Sequence, residues 1–520
     1  MKDNVKKYAF LHAEYSKKLL VANIILAIVY FVALTFFFQH GNIILFIALI
    51  AGEIFHVFQI IGYASSVWGV HIPRSFDDSF DEPVDIFITV AGEPVEIVAK
   101  TTKAAKAIDY RNKSIYILND GFVAGKDNWQ EIEQLAEELG VVCITRQNPG
   151  GAKAGNINNA LRQTEAPYIV IFDADHVPKR TFLRKTIGYF TNEKMGFVQT
   201  PQFYNNQRTN SVTQTAWDQQ ALFFGPIMRG KNRTDSVFMC GTNMVLRREA
   251  LMEAGGMCEF NIAEDFLTSL FIHERGWKSV YVPEVLAEGL APEDFLSYYK
   301  QQFRWARGSL EVIFKYNPLF RKGLTWSQKT QYLTSASYYL SGVVILIDAL
   351  IPLVFLFTGT TAIVTSSMTL ALIFLPYIFI SLYILQQTSN ASYTFRAISF
   401  SIGSFYLQIR AIIAVLLNQK TSFSVTSKNA IQGNFLYLST PHLIYIALVV
   451  IGGIVAYERE GFSASLLANL AWSTVNIIAF LPFIFASAPD INIRKFFTNN
   501  LFGLRSTTTK TKPSTKESKI

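Results

Sequence analysis

The stretch YIVIFDADHVP, residues 168–178, ends a run of β-branched and aromatic residues on two aspartates and a histidine. Residues two apart on an extended chain point to the same side, so Asp173 and Asp175 are expected to face one another's charge. Two like charges held close are unfavourable without a counter-ion. A hard divalent cation, Mg2+ or Mn2+, resolves the conflict and can be shared with phosphate oxygens. His176 completes such a shell, and imidazole suits Mn2+. Asp-x-Asp is also ordinary turn composition, and only the buried strand leading into it favours the metal reading.

A phosphate needs donors too. Lys153 follows a glycine-rich turn in NPGGAKAGN and opens a helix, where free amides and an ammonium make an anion cradle. Asp120 in NDG can accept from a base or ribose, or simply form the turn before Gly121. In IAEDFLTSLFIHERGW, Glu264 and Asp265 stand at a helix start, as a general base or as favourable first-turn acids. In YYKQQFRWARGSLEV, Gln301, Arg304 and Trp305 fall on one helical face. Arg grips a diphosphate in two places and Trp is a platform for a sugar ring, although a tryptophan beside a snorkelling arginine is also a common interfacial pair.

The elements that position these residues alternate. VDIFITV (84–90), SIYILND (114–120), VVCITR (141–146) and YIVIFDADH (168–176) read as strands. Helical patterns over 93–109, 129–139 and 153–164 separate them. That alternation predicts a mostly parallel sheet covered by helices, with ligands beyond the carboxyl ends of its strands. Asp120, Asp173, Asp175 and His176 all sit at such ends.

Around this block the chain is apolar. Half of its 520 residues are hydrophobic, 43 of them Phe, which fits membrane spans attached to a folded soluble domain. Residues 19–38 and 43–63 are expected to cross the bilayer before it; 334–357, 363–386, 440–457 and 465–487 after it. Residues 396–417 are interrupted by Arg396, Gln408 and Arg410, and predict an interfacial helix instead. Six spans with basic residues outside both end spans place the soluble block and both termini in the cytoplasm. The expected organisation is a membrane hairpin (1–72), a soluble domain (73–320), a second membrane region (321–490) with a cytosolic segment at 418–438, and a basic tail (491–520). The net charge of +8 resides largely in the tails rather than on one face of a domain, which argues against nucleic-acid binding. Cys143, Cys240 and Cys258, with no CxxC, offer neither a disulfide framework nor a structural zinc site. The first apolar run is too long for a cleavable signal peptide.

Taken in order, NDG, AKAGNINNAL, FDADHVP, VQTPQFYN, CGTNMVLRREAL, AEDFLTSLFIHERGWKSVY, LAPE, QQFRWARG and FSVTSK resemble the processive family 2 glycosyltransferases, most closely the bacterial cellulose synthases. The resemblance runs from about Val84 to Lys428 and the flanking spans. It implies a GT-A-type (Rossmann-like) α/β domain inserted in an α-helical transmembrane domain of the plasma membrane. It implies a processive inverting transfer from a UDP-sugar, UDP-glucose first, to a growing polysaccharide, giving an exported cellulose-like or capsular β-glucan. Asp120 would contact uracil and Lys153 the diphosphate. Asp173, Asp175 and His176 would form the donor and metal site, and Asp265 would be the base. Gln301, Arg304 and Trp305 would hold diphosphate and acceptor. Phe423, Val425, Thr426 and Lys428 would close over the nucleotide. Other readings are synthesis of chitin, hyaluronan or another capsular polymer, and, in a different class, a non-catalytic export component. Accessory export subunits stay open. Ala91, Asn119 and Ala263 depart from the family's usual tyrosine, aspartate and threonine. The short Lys/Thr/Ser-rich tail after Asp490 leaves no room for a cyclic-dinucleotide domain, so such control is expected to be absent.

Overall fold

A computed structural model describes residues 8–13, 15–69, 79–419, 431 and 433–488. Two apolar helices come first: α1 (Lys17–Val32), prolonged by a wider turn over Ala33–Phe37, and α2 (Ile43–Val67). Asn42 starts α2 by accepting from the amides of Ile44 and Leu45 at 3.0 and 3.2 Å. A helix start leaves those donors orphaned, and an Asn side chain satisfies them.

The chain then builds a seven-stranded sheet from β1 (Val84–Val90), β2 (Lys113–Asn119), β3 (Val142–Thr145), β4 (Tyr168–Asp173), β5 (Met195–Gln199), β6 (Met244–Arg247) and β7 (Lys278–Tyr281). The order across the sheet is β7-β5-β6-β4-β1-β2-β3. Neighbours are parallel except at β6, which runs antiparallel between β5 and β4. Helices α3 (Val95–Lys106), α4 (Trp129–Leu139) and α5 (Ala152–Leu161) make the crossovers between β1 and β4. Every residue of β1 is buried, because helices cover both faces of a central parallel strand. The expected alternation is therefore present, and β6 is an addition that alternation does not imply. In register, Thr89 lies beside Asp173 and Asn119 beside Thr145, which brings the strand ends to one edge.

Beyond the sheet follow α6 (Ser211–Leu222), α7 (Glu264–Glu274), α8 (Phe295–Tyr316) and α9 (Trp326–Ser337). The last helices are α10 (Ser341–Thr358), α11 (Ser367–Thr388), α12 (Phe395–Gly403), α13 (Phe405–Leu416), α14 (Thr440–Glu460) and α15 (Ala464–Ser487). Among the described residues seven helical segments are long and apolar enough to cross a membrane, and the chain is a multi-pass membrane protein. The count exceeds the expected six by Phe395–Leu416, which qualifies by length and composition despite its arginines. That segment is broken into α12 and α13 at Ser404, and 61% of it is buried in the protein against 11–39% for the other six. It packs on α8, with Arg410 donating to the Tyr299 hydroxyl at 3.3 Å. Far from the sheet, Gln39–His40 pairs antiparallel with Ile363–Val364 and ties the loop after α1 to the one before α11.

Candidate active site

β4 stops at Asp173, and the amide of His176 turns back to the Asp173 carbonyl at 3.0 Å. Asp175 and His176 therefore lie beyond the strand, which corrects the expectation that pleat alignment unites the two aspartates. The turn unites them instead: one ligand atom from each of Asp173, Asp175 and His176 falls within 4.8 Å of the others. The Asp173 amide donates to Thr242 Oγ1 at 2.9 Å, and its carboxylate accepts from Thr89 at 3.2 Å. Asp175 Oδ2 accepts from the Leu290 amide at 3.2 Å, and its Oδ1 stands 3.5 Å from His176 Nδ1. His176 Nε2 is buried with no hydrogen-bond partner among the described residues. Gly289 makes room for that ring, since a Cβ there would lie 2.4 Å from Nε2. Two carboxylates and an imidazole nitrogen left without a partner suit a divalent cation.

Lys153, second residue of α5, donates to Asp173 and to the Gly241 carbonyl at 2.8 Å. The expected phosphate donor is thus held against the acid pair from which it would meet a diphosphate. Burial opposes the charged ammonium, but Asp173, Glu264 and Asp265 outweigh it and raise its pKa. Burial likewise disfavours the Asp173 carboxylate, yet the Lys153 and His176 charges bring it below the usual range.

Glu264 and Asp265 occupy the first turn of α7 rather than its cap, which is Ala263. Asp265 Oδ1 accepts from the Phe266 amide at 2.7 Å. Burial and the Glu264 charge push the Asp265 carboxyl up to about 7, against the pull of Lys153 and Arg304. A carboxyl poised near neutrality is suited to removing a proton from a sugar hydroxyl.

α8 brings Trp305 to the same place. Asp265 and Trp305 both line a cavity of about 490 Å³ that also meets Gln302, Cys240, Tyr63 of α2 and Ser381 of α11. Gln301 and Arg304 do not line it. Gln301 hydrogen-bonds the Tyr204 hydroxyl, and Arg304 lies within the field of the two α7 acids. The three residues read as one face are thus divided, Trp305 toward the cavity and Arg304 toward the carboxylates. Gln302, one position along, was missed because the helical period assigned it to another face. α8 approaches closely because residue 308 is Gly: a Cβ there would lie 2.3 Å from that of Ala263. This close fit gives a physical reason for a small residue at position 263.

Asp120 is at the other end of the site. Arg146 grips it bidentately, Nε to Oδ1 at 2.7 Å and Nη2 to Oδ2 at 2.6 Å, both side chains buried. The same guanidinium bonds the carbonyls of Gly150 and Ala152, the latter at 3.1 Å, and so fixes the glycine turn before Lys153. Sequence reasoning missed Arg146; its place at the end of VVCIT was the available signal. Asn119 donates to the Trp129 carbonyl at 2.8 Å and accepts from Gly121 at 3.0 Å, a dual role an aspartate would not fill. Phe423, Val425, Thr426 and Lys428 lie outside the described residues. The neighbouring residues seat on or beside α8: Lys315 donates to Asn418 at 2.8 Å, Arg307 to the Gln419 carbonyl, and the Ile431 amide to the cap residue Asp294 at 3.1 Å.

Residues 82–308 match the model of glycosyltransferase like family 2, and residues 253–451 that of cellulose synthase. Cellulose synthase 2 of Novacetimonas hansenii is 31% identical over 456 residues, 83% of this chain and 28% of that protein. The UDP-forming cellulose synthase catalytic subunit of Komagataeibacter sucrofermentans is 30% identical over 463 residues, 84% of this chain and 60% of that protein. The chain thus spans less than two thirds of the length of these relatives. A mannosyltransferase from Pyrobaculum calidifontis, solved in complex with GDP-Man and Mn2+, shares the fold with a TM-score of 0.52 at 15% identity, covering 72% of this chain and all of that one. The chain thus carries a family 2 glycosyltransferase domain of GT-A-type α/β fold, set in a membrane region similar to that of the bacterial cellulose synthases.

Proposed function

We propose that this chain is a processive inverting glycosyltransferase that polymerises UDP-glucose into a β-glucan and passes it outward through its own membrane region. The observation that carries this reading is the cavity shared by Asp265 and Trp305 with membrane-helix residues such as Tyr63 and Ser381. A polymerase needs its base at the inner mouth of an exit, and a one-step transferase does not. Relatives named cellulose synthase and "UDP-forming" support the donor and the product class.

The donor diphosphate would lie over Lys153 and Arg304, beside the Asp173–Asp175–His176 cluster. Four carboxylates against two fixed cations leave that place acidic, a charge that a divalent metal would balance. A bound Mn2+ or Mg2+ supplies charge neutralisation for the departing phosphate. The Mn2+ in the Pyrobaculum calidifontis mannosyltransferase supports a divalent ion of this kind. Asp265 takes the proton from the acceptor hydroxyl while Trp305 holds the acceptor ring, and Lys153 and Arg304 meet the developing charge on UDP. One displacement inverts the anomeric centre. Asp120, braced by Arg146, receives the base, and Phe423, Val425, Thr426 and Lys428 would cover the nucleotide.

In this reading the catalytic domain and both termini are cytoplasmic and six helices cross. Phe395–Leu416 then lies along the inner face, which accords with its break at Ser404 and its burial against α8. Purified protein supplied with UDP-glucose or UDP-N-acetylglucosamine and either metal tests the proposal. UDP release and a β-linked glucose polymer are expected from UDP-glucose. Turnover of UDP-N-acetylglucosamine alone would transfer the reading to chitin, and an Asp265→Asn enzyme with unchanged turnover would remove Asp265 as base.

A further inference from the structure

The two spans that precede the α/β domain start and stop beside it. α1 begins at Lys17 and α2 ends at Val67, so these ends share the membrane face that carries the domain. The domain meets them through one short helical turn, Met228–Lys231. Gly230 permits the approach, since a Cβ there would lie 1.6 Å from the Ser66 carbonyl oxygen of α2. That contact brings two arginines to the junction. Arg233 donates to the Ser65 carbonyl at 2.8 Å, and its Cδ lies 3.5 Å from where a Cβ on Gly69 would stand. Arg229 donates to the Ala13 carbonyl at 3.3 Å, just ahead of α1. Lys17 holds its ammonium 5.7 Å from the ring centre of Trp68.

Three cations thus converge where two spans leave the bilayer, and the protein does not neutralise them. Among the described residues no carboxylate pairs with Lys17, Arg229 or Arg233. Arg229 is only 8% exposed, and its Nε has no hydrogen-bond partner. An enclosed guanidinium without a counter-ion is costly. Burial raises the pKa of half-buried Tyr15 while Arg229 and Arg233 pull against it, so its hydroxyl stands near both guanidiniums. Lys17, Trp68 and Arg233 are exposed, and the open side of the cluster therefore meets the headgroup layer, where Trp and Tyr concentrate.

We propose that Lys17, Arg233 and the Tyr15 hydroxyl, with the Arg229 charge behind them, bind the phosphate of an anionic membrane lipid. The chemistry recognised is a phosphate anion: a guanidinium offers paired donors that fit its oxygens, and an ammonium adds a point charge. The place selects the source, because anionic headgroups gather at basic junctions between membrane helices. A phosphate held there links α1 to Arg233 of the domain and so fixes the domain on its leaflet. The site is independent of which sugar the protein transfers.

The test titrates the full chain, in a neutral detergent, with phosphatidylglycerol or phosphatidylcholine and counts bound lipid by native mass spectrometry. Lys17→Gln and Arg233→Gln each remove one donor. Lys18→Gln removes the same charge from the next position, about 100° round α1. Arg229 stays in place because it also holds the Ala13 carbonyl. The two site variants are expected to weaken phosphatidylglycerol binding about fivefold each and about thirtyfold together, and Lys18→Gln by less than about twofold. Phosphatidylcholine, whose choline offsets its phosphate, should bind the native chain about tenfold more weakly than phosphatidylglycerol. Equal losses in Lys17→Gln and Lys18→Gln would mean diffuse membrane charge and overturn the site. Unchanged affinity in both site variants, or equal binding of the two lipids, overturns it as well. Inorganic phosphate in large excess should leave the lipid bound; displacement by it would give the site to a soluble phosphate and overturn the lipid. Should the double variant fail to fold, the single ones, which alter exposed side chains, decide alone.

Discussion

Asp265 is expected to titrate in the middle of the working range, and its neighbour is expected to set where. The two α7 acids share a first turn, and Glu264 is the largest charge raising the Asp265 carboxyl to about 7 after burial. A base must be ionised to act, so turnover is lost as pH falls through that value. For one group at about 7, the ionised fraction is about one tenth at pH 6 and nine tenths at pH 8, a rise in kcat of about tenfold. Glu264→Gln removes the neighbouring charge. A unit charge about 6 Å away, at an effective dielectric between about 20 and 80, is worth about 0.7–2.8 kcal/mol, so the acid midpoint should move down by about half to two pH units. The assay is UDP release at saturating UDP-glucose and metal from pH 5.5 to 8.5, in both proteins. The comparison cancels protonation of UDP, which the substitution leaves in place. A flat native profile across pH 6–8 would refute Asp265 as a base near neutrality, and a midpoint unmoved or raised in Glu264→Gln would refute the electrostatic account.

Three further outcomes follow from contacts in the site. His176→Ala should weaken Mn2+ binding by about 10–100-fold, seen by titrating the metal with magnetic resonance of free Mn2+ as well as by activity. Arg146→Met leaves the buried Asp120 carboxylate without its bidentate partner and should cost about 3–5 kcal/mol, read as a lowered unfolding temperature in nanodiscs. Gly308→Val drives a side chain into Ala263 and should displace α8, lowering kcat well before it lowers metal binding, with an overpacking cost of about 1–3 kcal/mol. Unchanged kcat in Gly308→Val would mean that the separation of Trp305 from Asp265 is not critical.

The sequence by itself determined four of the seven strands, β1 to β4, and their parallel sense. Apolar runs such as VDIFITV and YIVIFD can be buried only as central strands, and their polar ends must then collect at one edge. Asp173, Asp175 and His176 stood out for that reason, because charge at the end of a buried run needs a purpose, and Lys153 and Asp265 stood out as charges at helix starts. Tertiary structure alone decided how they meet. A turn, not the pleat, brings Asp175 and His176 to Asp173, because residues past the last ladder bond are free of the two-residue alternation. Arg146 was invisible as a site residue because its partner is 26 positions away and only the parallel pairing of β2 with β3 brings the two together. The same holds in the membrane: hydropathy located the helices, but periodicity on single helices cannot say that Glu53, His56 and Asp348 face one another. Only the packing of α2 against α10 does, since it is proximity between chain segments, not order along them, that makes isolated charges tolerable in an apolar setting.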